Sequence, residues 1–122
     1  MLFAWGRNSD GQCGADLEPA AQPPHTIAMP RSIRLPHRAR SVACGTGQQG
    51  CTFAVLEDGS LWTWGNDAGG RLGHPAPRGD GPVACGPPSA GTNATPRKVE
   101  ALAAVHVMQA CVSDFHGECF RE

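Results

Sequence analysis

Cys51-Thr52-Phe53-Ala54-Val55-Leu56, then Glu57-Asp58-Gly59-Ser60, then Leu61-Trp62-Thr63-Trp64 is the stretch that decides the fold. Asp-Gly between two runs rich in β-branched and aromatic residues is a strong hairpin signal. Asp58 and Gly59 at the two central positions of a two-residue turn set the register. Leu56 then faces Leu61, Val55 faces Trp62, Ala54 faces Thr63 and Phe53 faces Trp64. Apolar pairs fall on both faces of that hairpin. A sheet with one wet face alternates apolar and polar residues, whereas a pair apolar on both faces must be covered on both. Radially stacked blades provide such cover.

Working outward, the hairpin belongs to a repeat. Phe3-Ala4-Trp5-Gly6-Arg7-Asn8-Ser9-Asp10-Gly11-Gln12-Cys13-Gly14 lies over Trp62-Thr63-Trp64-Gly65-Asn66-Asp67-Ala68-Gly69-Gly70-Arg71-Leu72-Gly73 at a constant offset of 59. Pro30-Arg31-Ser32-Ile33 matches Pro96-Arg97-Lys98-Val99 at 66, and Ala43-Cys44 matches Ala110-Cys111 at 67. The offset grows because the second copy carries an insertion: 74–96 holds six prolines and four glycines and has no periodicity. The chain divides accordingly into residues 1–73 (first repeat and central hairpin), 74–97 (Gly/Pro-rich loop insertion) and 98–122 (degenerate start of the next repeat). The segment 15–29 also reads as loop.

Composition agrees with short strands and many turns: the 122 residues include 16 glycines and 11 prolines. The formal net charge is −1, without the basic footprint of a nucleic-acid binder. The densest basic stretch, Arg31 to Arg40, is interrupted by Pro36 and reads as a solvated loop. No apolar run reaches the ~20 residues of a membrane-spanning helix. The opening Met1-Leu2-Phe3-Ala4-Trp5-Gly6-Arg7 lacks a secretory pattern, so the six cysteines are expected to be reduced thiols in an intracellular, cytoplasmic or nuclear setting.

Val42-Ala43-Cys44-Gly45, the hairpin, Gly65-Asn66 and Gly70-Arg71-Leu72-Gly73 together resemble the regulator of chromosome condensation repeat. The competing propeller repeats have shorter periods, ~40 to 50 residues. The motif falls on Trp5, Gly6, Gly11, Gly14, Cys44, Gly45, Asp58, Gly59, Trp62, Trp64, Gly65, Gly70 and Gly73. The fold class is therefore all-β: a partial β-propeller of about two blades, built from antiparallel hairpins with long Gly/Pro-rich loops. The resemblance implies seven such repeats in a closed ring, of which this chain holds two. It implies a strand ending at Phe3-Ala4-Trp5-Gly6, another due just after Phe115-His116-Gly117, and tryptophans in the blade core. Copy one departs from the family's Gly-x-x-His-Thr step at Gly45 to Thr52. Copy two has His116 but Val112 where a glycine follows the cysteine.

No catalytic constellation is visible, and no cofactor, metal site or enzymatic activity is expected. Asp10, Asp58 and Asp67 sit by glycines, where aspartate serves local backbone hydrogen bonds. The five histidines are scattered, and there is no Cys-x-x-Cys. Cys44 and Cys111, at matching repeat positions, read as small buried apolar side chains, as does Cys13 opposite Leu72. Arg78-Gly79-Asp80 and Asn93-Ala94-Thr95 spell adhesion and glycosylation patterns by chance, absent a secretion signal. The resemblance implies a protein-interaction module tied to a small GTPase of the Ran type, to chromatin or to ligase substrates, with exchange-factor-like ancestry. The other reading is a purely structural propeller segment of a longer protein, such as a ubiquitin ligase or kinase. Open apolar blade faces would favour self-association.

Overall fold

The two-sided hairpin sits at the centre of a four-stranded antiparallel sheet flanked by two smaller ones. The computed structural model describes residues 1–14, 25–45, 50–75, 92–113 and 116–121. Within them β1 (Leu2–Arg7) pairs with β2 (Thr26–Ile33). The central sheet has the order β3 (Ala39–Cys44), β4 (Cys51–Leu56), β5 (Leu61–Asn66), β6 (Thr92–Lys98). The last pair is β7 (Val107–Val112) with β8 (Gly117–Arg121). All pairings are antiparallel. The chain is thus an all-β partial propeller, but its two blades' worth of strands is distributed as one whole blade between two halves.

The halves are copies of the whole. Between Ala4 and Gly6 two steps on β1 face four on β2, from Arg31 to Ile27; between Thr63 and Gly65 the same irregularity recurs, from Arg97 to Asn93. Pro30 and Pro96 stand inside these bulges, where a residue without an N–H costs no ladder bond. β1–β2 therefore repeats the third and fourth strands of the central blade. At the other end, β3 skips a residue between Ala39 and Ser41 opposite Leu56 and Val55, and β7 skips one between Val107 and Gln109 opposite Arg121 and Phe120. β7–β8 therefore repeats the first and second strands.

Three sequence expectations change. The hairpin register is Val55 with Leu61, Ala54 with Trp62, Phe53 with Thr63 and Thr52 with Trp64. The turn takes three residues, with Gly59 N–H donating to Leu56 O at 3.0 Å and Leu56 N–H to Ser60 O at 3.0 Å. Gly59, at φ 80, supplies the left-handed residue that closes this bulged turn. A slip of one residue exchanges the partners of every side chain. Next, β7 matches β3 at an offset of 68 rather than 67: Gly45 N–H donates to Cys51 O (2.9 Å) as Ser113 N–H donates to His116 O (2.8 Å). Ser113, not Val112, thus replaces the repeat glycine, and Cys111 replaces Ala43. Strands also begin earlier than expected: β2 at Thr26 and β6 at Thr92 lie within segments read as loop. The strand expected just after Gly117 is present as β8.

Both faces of the central hairpin, β4 and β5, are covered. One carries Phe53, Val55 and Leu61 against Val107 and Ala110 of β7, with Leu72 and Val99. The other carries Ala54, Leu56 and Trp64 against Ile33, with Leu2, Ala4 and Trp62 half-buried beside them.

Candidate functional site

The seam between the first half-blade and the central blade is held by the turn after β1. Asn8 Oδ1 accepts from Cys13 N–H at 3.0 Å, and in the second repeat Asp67 Oδ1 accepts from Leu72 N–H at 3.1 Å. The turn so shaped presents Gln12 O to the central blade, where it accepts from Trp64 Nε1–H and Thr52 Oγ1–H, both at 2.8 Å. Gly14 lies flat on the Trp64 ring; a Cβ there would stand 2.5 Å from Nε1. Asp10 bridges the seam as well, accepting from Gly50 N–H (3.1 Å) and Asn66 Nδ2–H (3.0 Å). Sequence reasoning gave Asp10 only a local turn role and missed Gln12, whose main-chain oxygen leaves no side-chain signal.

The motif residues divide between packing and turns. Trp64 is fully buried, Trp62 is half-buried, and Gly45, Gly59, Gly65, Gly70 and Gly73 shape turns and close approaches. Gly65, at φ 105, brings its Cα against β4: a Cβ would meet Gly50 O at 2.5 Å. Gly6 and Gly11 repeat the geometry of Gly65 and Gly70. Trp5 corrects the expectation of blade core: its side is 62% exposed. Nothing among the described residues lies over that face of β1. Cys44 and Cys111 are also exposed rather than buried, because each sits on an uncovered face of its strand. Cys13 is buried as expected, on Ile27.

Asp58 organises the hairpin turn. Its Oδ1 accepts from Ser60 Oγ (2.6 Å) and Ser60 N–H (3.0 Å), and Trp62 Nε1–H donates to Ser60 Oγ at 3.0 Å. These hydrogen bonds, from the Ser60 hydroxyl above all, hold the Asp58 carboxyl below its ordinary value. Burial pushes the Cys13 and Cys51 thiols up, so neither is a ready nucleophile. Among the described residues no three His, Cys, Asp or Glu side chains gather where a metal could sit. Among the described residues no helix is long and apolar enough to cross a membrane. Cys85 and Arg78-Gly79-Asp80 lie outside the described residues.

One surface has the shape and charge of a binding site. On the rim joining β2 to β3, a groove of ≈ 850 Å³ is lined by Ile33, Arg34, Leu35, His37, Arg38 and Glu57, among others. Arg34 and Arg38 are both exposed on this rim. His37 Nε2 lies 3.6 Å from Asp58 Oδ2 at its edge, an exposed pair of little energetic weight.

Comparison with known proteins matches this geometry to one family. The model of the Regulator of chromosome condensation (RCC1) repeat matches residues 1–51 and 58–119. The chain is similar to the RCC1 domain-containing protein RUG3, mitochondrial, of Arabidopsis thaliana: 34% identical over 89 residues, 60% of this chain and 19% of that protein. It is 33% identical over 72 residues to the human E3 ubiquitin-protein ligase HERC2, covering 59% of this chain and 1% of the ligase. Among solved structures, Prp20p of Saccharomyces cerevisiae, described with its binding properties to Gsp1p and histones, superimposes with a TM-score of 0.69 at 22% identity, over 99% of this chain and 27% of Prp20p. Human WBSCR16 gives 0.60 at 18% identity, over 98% of this chain and 34% of that one. The chain spans about a fifth or less of the length of these curated relatives.

Proposed function

The chain belongs to the regulator of chromosome condensation (RCC1) repeat family, and from that premise we propose that it is a protein-interaction module whose basic rim docks an acidic protein surface, with a Ran-type GTPase as the first partner to test. The observation that carries this reading is the rim groove itself, with the exposed Arg34 and Arg38 lining it. Clustered guanidiniums on a solvent-facing groove favour carboxylates and raise association rates more than they raise affinity. Prp20p and its Gsp1p-binding properties lend the reading support. The role is binding rather than catalysis, and it is played inside the cell. The test titrates the chain with a Ran-type GTPase and separately with core histones. Binding to the GTPase that weakens with salt, and weakens at least about tenfold in Arg34→Glu/Arg38→Glu, supports the proposal. Binding untouched by the charge reversal, or to histones alone, overturns it.

A second reading has its own observation. The matched stretch is 1% of HERC2, so such repeats also occur as small parts of very large proteins. In that case the repeats act as packing units, and neither probe binds.

A further inference from the structure

We propose that Thr95, in the edge strand β6 of the central blade, is a phosphorylation site for a proline-directed serine/threonine kinase. This goes beyond the rim-binding reading and rests on other residues. Thr95-Pro96-Arg97-Lys98 is the one place in the chain where a serine or threonine precedes a proline, and a lysine stands third after the hydroxyl. A proline-directed kinase selects that order, with proline next to the acceptor and a basic side chain two places further on, where charge pairing between kinase and substrate gives specificity. The first copy of the repeat has Met29-Pro30-Arg31-Ser32 at the corresponding bulge. Proline and arginine stand in both copies, and the bulge accounts for the proline, which has no N–H to leave unpaired. Thr95 and Lys98 replace Met29 and Ser32, so the same backbone forms without a hydroxyl or a lysine there. The two residues that complete the kinase pattern are not ones the strand requires.

The fold presents this segment to solvent. Among the described residues β6 pairs with β5 alone, at the edge of a blade that has all four of its strands. On β5 only Trp64 separates the paired Thr63 and Gly65, whereas Ala94, Thr95 and Pro96 separate Asn93 from Arg97 on β6. The two surplus residues leave the ladder there. Proline holds the residue before it extended, the conformation in which a kinase cleft takes its substrate. Thr95 and Arg97 are exposed while Ala94, Pro96 and Lys98 are half-buried, so hydroxyl and guanidinium share the solvent face, two strand positions or ~7 Å apart. Lys98 lies opposite Trp62, and its long stem brings the ammonium to the surface. Directly before the acceptor the strand is seated on the preceding turn: a Cβ on Gly11 would stand 2.6 Å from the Ala94 Cα.

In the transfer Thr95 Oγ1 forms a bond to the γ-phosphorus of the kinase's ATP while the bond from that phosphorus to the β–γ bridging oxygen breaks. The hydroxyl proton passes to the kinase's catalytic aspartate, and ADP leaves. The product carries about −1.5 to −2 charges at neutral pH. Arg97, on the same face, receives them through charge-assisted hydrogen bonds. The phosphate stays in solvent, so the blade keeps its packing and gains an anionic mark on its outer edge.

The test incubates the whole folded chain with ATP and a purified proline-directed serine/threonine kinase, and maps the product by fragmentation mass spectrometry. One phosphate on Thr95 is expected, with the circular dichroism spectrum and melting midpoint of the unmodified chain retained. Thr95→Val is expected to take up none. Pro96→Ala and Lys98→Ser are expected to be labelled at least about tenfold more slowly, the first by losing the neighbouring proline and the second by losing the charge pair. Lys98→Ser carries the residue that the first copy holds at that place, so a folded comparison remains even where Pro96→Ala fails to fold. Four results overturn the proposal: a folded chain that takes no phosphate, phosphate on other residues with Thr95 unmodified, labelling of folded Pro96→Ala or Lys98→Ser as fast as that of the unaltered chain, or a phosphorylated chain that no longer melts as a folded protein.

Discussion

Trp5 and Trp64 occupy the same position of the repeat, and their substitution separates what the repeat encodes from what the neighbouring blade provides. Trp64 is fully buried, packed on Gly14 and hydrogen-bonded to Gln12 O. Trp64→Ala removes the largest buried side chain and opens a cavity, at a cost of about 3–5 kcal/mol. The lost hydrogen bond adds little, since Thr52 Oγ1–H still satisfies Gln12 O. Trp5, 62% exposed, should cost no more than about 0.5 kcal/mol when replaced by alanine. Urea unfolding followed by circular dichroism, at the lowest protein concentration that gives a signal, measures both. Should Trp64→Ala leave no folded baseline, Trp64→Phe keeps most of the apolar volume and is expected to fall between the two. Equal losses for Trp5→Ala and Trp64→Ala, or a loss below about 1 kcal/mol for Trp64→Ala, would refute the view that the Gln12–Gly14 turn of the preceding half-blade completes the core.

Three further outcomes are expected. Gly65→Ala should destabilise more than Gly6→Ala: both bear a dihedral strain of about 1–3 kcal/mol, but only at Gly65 does the new Cβ meet a backbone oxygen, at 2.5 Å; thermal melts of the two variants compare them. His74 accounts for a pH dependence. Thr63 Oγ1–H donates to Leu72 O (2.7 Å), so the His74 ring N–H must donate to Thr63 Oγ1 (3.0 Å). Burial, then Arg97, pushes the His74 pKa below 6.5. The unfolded chain therefore binds the proton more readily, so this contribution is present above pH 6.5 and is lost as pH falls towards the lowered folded value. Urea midpoints across that range should flatten in His74→Gln. Lastly, brief alkylation read by mass spectrometry should modify Cys44 and Cys111 before Cys13 and Cys51, the order of their exposure.

Much of the architecture was legible because it rests on local chemistry. Asp58-Gly59 marks a hairpin whatever surrounds it, and apolar residues on both strand faces require cover on both. The tandem match of Trp-Gly and spaced glycines needs only alignment of the chain with itself. The hairpin register was not legible, since Asp-Gly suits both a two-residue turn and a three-residue turn closed by a left-handed glycine. The one-residue error in matching β7 to β3 had the same origin: Ala-Cys occurs in both, and only the Gly45 and Ser113 hydrogen bonds reveal the shift. In the seam, Gln12 acts through a backbone oxygen and Asp10 through partners 40 and 56 residues away, neither of which leaves a local pattern.

By itself, then, the sequence determined the all-β repeat, the existence of its central hairpin and its glycine turns, because these depend on neighbouring residues. Tertiary structure alone decided that Trp64 is core while Trp5 is surface, that Cys44 and Cys111 face outward, and that the arginines line a groove. Burial depends on what lies across a face, and in a stack of blades that is a segment remote along the chain.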